Sequence, residues 1–158
     1  MKLIDKENLL KEAREKFESI KNELGFKSTF EEINDTFYIN DYILSLGFVS
    51  ERFSRQICGR IVENYMSWLN YLQGLVFPNA GNIVNLNESK LINDSEKKEI
   101  GKMLSEIMAI ITTNSVVAIT KDKKIEARFI DESVTYWNSS FKSRATQIIK
   151  KINDGWKK

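Results

Sequence analysis

Seven apolar residues, Phe53, Ile57, Ile61, Tyr65, Trp68, Leu72 and Leu75, recur at steps of three and four until Pro78, the chain's one proline, stops the run. A stripe of that length belongs to a long central helix, and it needs other apolar faces to cover it. Ser50 is placed to cap this helix. Gly59 and Gly74 inside it each cost about 1 kcal/mol relative to Ala, which points to close approach of another element.

The remaining sequence supplies the covering faces. Leu10, Ala13, Phe17, Ile20 and Leu24 line one side of a helix over 5–24, with Asp5 as N-cap, Glu7/Lys11 and Glu12/Lys16 on the wet side, and Gly25 as the left-handed stop. Ser28 with Glu31 reads as a capping box that opens a second helix to about Leu46, with a break near Asn40. Residues 77–93 are rich in Asn and read as a loop containing a short extended piece at Ile83–Leu86. Asp94 or Ser95 caps a fourth helix through Ile100, Met103, Leu104, Ile107, Ile110 and Ile111 to Asn114. Residues 115–120 are rich in β-branched side chains, 121–124 form a polar turn, and Ile125, Ala127 and Phe129 alternate with Glu126, Arg128 and Ile130. This pattern predicts a β-hairpin; the competing reading is one long helix through Val116, Ile119 and Phe129. A last helix starts at Asp131 or Ser133, carries Val134, Trp137, Phe141, Ala145, Ile148 and Ile152 inward, and ends near Asp154–Gly155.

The expected fold is therefore mostly α: a five-helix bundle with a small β-hairpin between the last two helices, the alternative being all-α. At 158 residues the whole chain, 1–158, is expected to form a single helical domain. One cysteine, Cys58, forbids an intramolecular disulfide, and the first residues lack the apolar stretch of an export signal, so a cytoplasmic location is expected. The longest uncharged stretch, Tyr65–Leu86, holds Asn70, Gln73, Asn79, Asn82 and Pro78, which disqualifies it as a membrane span, so no membrane association is expected.

The chain has no histidine, which removes the commonest general acid/base, the commonest transition-metal ligand and every His-based triad. One Cys cannot make a zinc site, so no metal and no cofactor are expected. The close acid pairs Glu31/Glu32, Asp131/Glu132 and Asp94/Glu96 fall at predicted helix starts, where the helix dipole accounts for them without catalysis. No phosphate-binding glycine loop or nucleophile elbow is present. Cys58 beside Ile57 reads as a small buried hydrophobe, and Tyr65, Trp68 and Tyr71 as a packing stripe. The expectation is that the chain is not an enzyme.

Charge is unevenly placed. The net charge is +2, but residues 115–158 alone carry a net +5. Lys121, Lys123, Lys124 and Arg128 come from the expected hairpin, and Lys142, Arg144, Lys150 and Lys151 from the last helix, with Trp156 beyond its end. Side by side, these residues would make a positive surface for nucleic acid, with Trp156 stacking on an unpaired base. The function expected is a non-enzymatic binding subunit that contacts nucleic acid within a larger assembly. The alternative is a protein-binding regulator of the immunity or antitoxin kind, or a self-associating module or homo-oligomer built on the stripe of the first helix.

Overall fold

The computed structural model describes residues 5–158; residues 1–4, part of the N-terminal segment read as lacking an export signal, lie outside them. The elements are α1 (Lys6–Leu24), α2 (Phe30–Phe37), α3 (Ile39–Leu46), α4 (Phe53–Val76), α5 (Ile83–Lys90), α6 (Asp94–Thr120), α7 (Lys123–Tyr136), a π-turn (Trp137–Phe141) and α8 (Lys142–Trp156). The protein is all-helical in its described residues, without a strand.

The chain divides into two compact units, the first comprising the described residues up to Asn64 together with Thr113–Val134, the second Tyr65–Thr112 together with Thr135–Lys158. α4 and α6 each contribute residues to both units.

In the first unit, Leu9, Ala13 and Phe17 of α1 are buried, while Leu10, Ile20 and Leu24 of the same stripe are partly exposed. Asp5 caps α1 by accepting from the Asn8 amide, and Gly25 ends it at φ 81°, a conformation a Cβ would disfavour. The capping box that opens α2 is one residue later than expected: the Thr29 hydroxyl accepts from the Glu32 amide at 3.2 Å, and Glu32 accepts from the Thr29 amide at 2.8 Å. Ser28 has another task. Its amide and hydroxyl, with the Lys27 amide, donate to the Asp131 carboxylate of α7 at 2.6–3.0 Å. The break between α2 and α3 falls at Tyr38, which takes a left-handed conformation at φ 55°.

The hairpin is not formed. Residues 115–120 end α6, Lys121 terminates it at φ 56°, and Asp122 caps α7 by accepting from the Lys124 amide at 2.8 Å and the Ile125 amide at 3.2 Å. The buried residues of α7 are Glu126, Phe129, Ile130, Ser133 and Val134, a helical period. The single long helix is also corrected, because the turn at Lys121–Asp122 divides it. Likewise Ile83–Leu86, expected as an extended piece, opens α5 under an Asn82 cap.

In the second unit, Tyr65, Leu72 and Leu75 of α4 are buried with Ile100, Met103 and Ile107 of α6 and Phe141, Ala145, Ile148 and Ile152 from the C-terminal helix. A Cβ on Gly74 would collide with the Asn85 side chain, so close approach is the reason for glycine there; at Gly59 the space is open and no such reason exists. Asn93 and Glu96 form a reciprocal cap at the start of α6, at 2.8 and 3.2 Å. The helix expected to stop at Asn114 continues to Thr120.

Replacing Asp131 by Ala strands the Lys27 and Ser28 amides and the Ser28 hydroxyl. Hydrogen bonds to a charged acceptor are worth about 1.5–3 kcal/mol each, and some of this loss is recovered by water, so Asp131→Ala is expected to lower unfolding stability in urea by about 2–3 kcal/mol. Asp131→Asn should recover part of that loss. A drop no larger than that of an exposed acid such as Glu132→Ala would show that the clasp does not hold the α1–α2 connection.

Candidate nucleic-acid interface

The nine residues expected to form one positive surface divide between the units. Lys121, Lys123, Lys124 and Arg128 belong to the first; Lys142, Arg144, Lys150, Lys151 and Trp156 belong to the second. The first group is carried by a helix–turn–helix junction, not by a hairpin tip.

Half of the eight cations are engaged by acids. Lys123 pairs with Glu23 at 2.5 Å and Arg128 with Glu132 at 3.7 Å. Arg144 reaches Glu99 and Glu106, both at 2.6 Å, and Lys151 pairs with Glu96. Burial works against the Arg144 charge, but the hydrogen bonds it donates to Glu106 and Glu99 outweigh that and hold the guanidinium above its ordinary value. The Lys151 hydrogen bond keeps the Glu96 carboxyl below its ordinary value. These contacts tie α6 to α8. Trp156, read as lying past the helix, is the last residue of α8; it is half exposed, and its indole N–H donates to Glu88 at 2.9 Å. Glu88 also accepts from the Tyr71 hydroxyl at 3.2 Å. Among the described residues no ion pair engages Lys121, Lys124, Lys142 or Lys150.

Lys142 and Lys150 stand beside an aromatic groove that the periodicity did not separate from the core. The stripe of α4 passes from Tyr65, which is fully buried, to Trp68 and Tyr71, which are partly exposed. Opposite them the π-turn, closed by the Lys142 amide on the Trp137 carbonyl, inserts one extra residue into the helical repeat. Trp137 and Phe141, four residues apart, present rings to the same side, 5.1 Å apart. Trp68 lies 5.3 Å from Phe141 and 6.3 Å from Trp137, centroid to centroid. Phe141 is buried beneath them, whereas Trp137 stays partly exposed.

Two depressions of about 310 and 390 Å³ meet at Trp68 and Ile149. One is lined by Trp68, Trp137, Phe141 and Ala145 and edged by Lys142, Thr146 and Lys150; the other runs on past Ser67, Trp68, Tyr71 and Ile149. Lys142, Thr146 and Lys150 follow one another at steps of four, so they form a single edge of α8 with the two ammonium groups about 12 Å apart by helical rise. Burial, then the Glu88 carboxylate, push the Tyr71 phenol up to about 12, so it stays neutral at physiological pH. The groove thus offers flat π-faces, an apolar floor, neutral hydroxyls and two uncompensated positive charges.

Cys58 is fully buried, and burial, with Glu126 nearby, pushes its thiol up to about 12. No group of three or more Cys, Asp or Glu side chains able to hold a metal ion occurs among the described residues. Comparison with protein-family models, curated proteins and solved structures found no match.

A thiol reagent at pH 8 is expected to label Cys58 at a rate set by unfolding, and at the full solvent rate in denaturant, because the folded thiol is both inaccessible and protonated. Rapid labelling of the native protein would contradict the buried placement.

Proposed function

We propose that this chain is a non-enzymatic binding subunit that holds an unpaired stretch of nucleic acid along the Trp68–Trp137 groove. The observation that carries this reading is the pairing of partly exposed tryptophans with Lys142 and Lys150, the two cations of α8 flanking the groove that no carboxylate neutralises. Bases stack on indole faces whatever their identity, while lysines along one edge take the phosphates, which is how sequence-tolerant single-strand binders divide the task. A duplex, whose bases are stacked on each other, does not offer those faces. Lys142 and Lys150 are retained from the expected surface, Arg144 and Lys151 pair with acids of α6, and Trp68 and Trp137 take the stacking role first assigned to Trp156.

A second reading rests on α6. From Ile107 to Thr120 this helix carries no charge, and in the first unit Val116 and Ile119 are exposed, the latter at 82%. The helix is long and apolar enough to cross a membrane, with 17% of its most apolar window buried, yet Ile100, Met103, Ile107 and Val117 form a seam committed to the protein's interior. Its neutral outer face suits a protein partner or a second copy, in keeping with a regulator or self-associating module.

Titrating a fluorescently labelled, unstructured oligonucleotide separates these readings. The proposal expects binding that weakens steeply as salt rises, and a loss of about fivefold to a hundredfold on Trp137→Ala, the range of one stacked base. Lys142→Glu with Lys150→Glu should flatten the salt dependence by about two released counterions. No binding to single strands, coupled with a monomer-to-dimer shift abolished by Ile119→Glu, would favour the second reading.

A further inference from the structure

We infer that a cavity of the first unit, sharing no residue with the aromatic groove, is a binding site for a mononucleotide. The cavity holds about 470 Å³, within the usual range for small-ligand sites, and lies among the end of α1, the start of α4, the end of α6 and the start of α7. Ile20, Leu24 and Val117 give it apolar walls, and Arg55 and Glu126 reach into it. Glu126 is 6% exposed. Its Oε2 stands 3.8 Å from Arg55 Nη1, close enough for charge attraction and too far for a hydrogen bond. Arg55 Nη2 donates to Asn114 at 2.9 Å, but Arg55 Nη1 and Glu126 Oε1 are buried without any hydrogen-bond partner.

Two orphaned atoms of opposite kind, a donor and an acceptor, beside the same cavity are costly unless something completes them. The group that completes both is one with an acceptor next to an N–H, the arrangement along the pairing edge of a nucleobase. The base faces then lie on Ile20, Leu24 and Val117. At the solvent end stand Arg52 and Lys121, both exposed and unpaired among the described residues, while Lys123 is already held by Glu23. A phosphate there meets two cations. A bare phosphate ester satisfies the outer pair and leaves the inner pair orphaned, so the site distinguishes a nucleotide from a sugar phosphate.

The test is isothermal titration of the full chain with guanosine monophosphate, adenosine monophosphate, ribose 5-phosphate and inorganic phosphate. At least one of the two nucleotides should bind about tenfold or more tightly than ribose 5-phosphate, the worth of a hydrogen bond to a charged group. Arg52→Ala with Lys121→Ala, both at exposed positions, should weaken it by a similar factor, and Glu126→Gln should shrink the advantage over ribose 5-phosphate. Trp137→Ala should leave nucleotide binding unchanged, which separates this site from the groove. The inference is overturned if neither nucleotide binds, if ribose 5-phosphate or inorganic phosphate binds equally well, or if the Arg52/Lys121 variant binds as the unaltered chain does. Should Glu126→Gln fail to fold, the Arg52/Lys121 pair decides.

Discussion

The second unit is organised by the contact of Tyr65 on α4 with Phe141 on the π-turn, two fully buried rings 6.2 Å apart at an edge-to-face angle of 81°. Edge-to-face rings gain beyond the area they bury. Tyr136 and Trp137 complete the cluster around Tyr65, at 6.0 and 6.3 Å. Phe141 lies underneath while Trp137 remains at the surface. The π-turn, an interruption of the helical repeat of a kind frequent at functional sites, carries two of the rings that line the proposed groove.

Electrostatics sort the C-terminal cations by what stands opposite them. α6 presents Glu96, Glu99 and Glu106 to α8, and these take Lys151 and Arg144. The Tyr136 hydroxyl also donates to Glu106, at 2.9 Å, and burial followed by that carboxylate raises its phenol well above the ordinary value. On the side of α8 that faces Trp68 and Trp137, Lys142 and Lys150 make no ion pair among the described residues. The net +5 of the last 44 residues thus overstates the available field, because part of it is consumed in joining helices.

Most of the helical layout was legible, because a three-and-four spacing of apolar residues has one physical meaning over long stretches. Residues 115–130 misled for a local reason. Val116, Val117 and Ile119 favour strands in isolation, but Met103, Ile107 and Val117 keep the buried seam of α6 in helical phase. In α7, Ile125, Ala127 and Phe129 alternate by coincidence: Ile125 and Ala127 are partly exposed, and Glu126, read as outward, is buried against Arg55. Asp122 followed by a helical pattern at Phe129, Ile130, Ser133 and Val134 was the signal that would have decided it. The groove was less legible. Trp68 and Tyr71 flank a stripe that stays buried through Leu72 and Leu75, and their partial exposure is invisible without knowing what packs on that side of α4. No residue type announces a π-turn, so the exposure of Trp137 could not be separated from the burial of Phe141.

The central claim, that the Trp68–Trp137 groove receives unpaired bases, is tested most directly by the three indole N–H signals of the chain in solution NMR, assigned by single Trp→Phe variants. On adding an unstructured oligonucleotide, the Trp68 and Trp137 signals should shift together, while Trp156, held by Glu88, stays in place. A shift confined to Trp156, or no shift at a concentration where binding is saturated, would contradict the account.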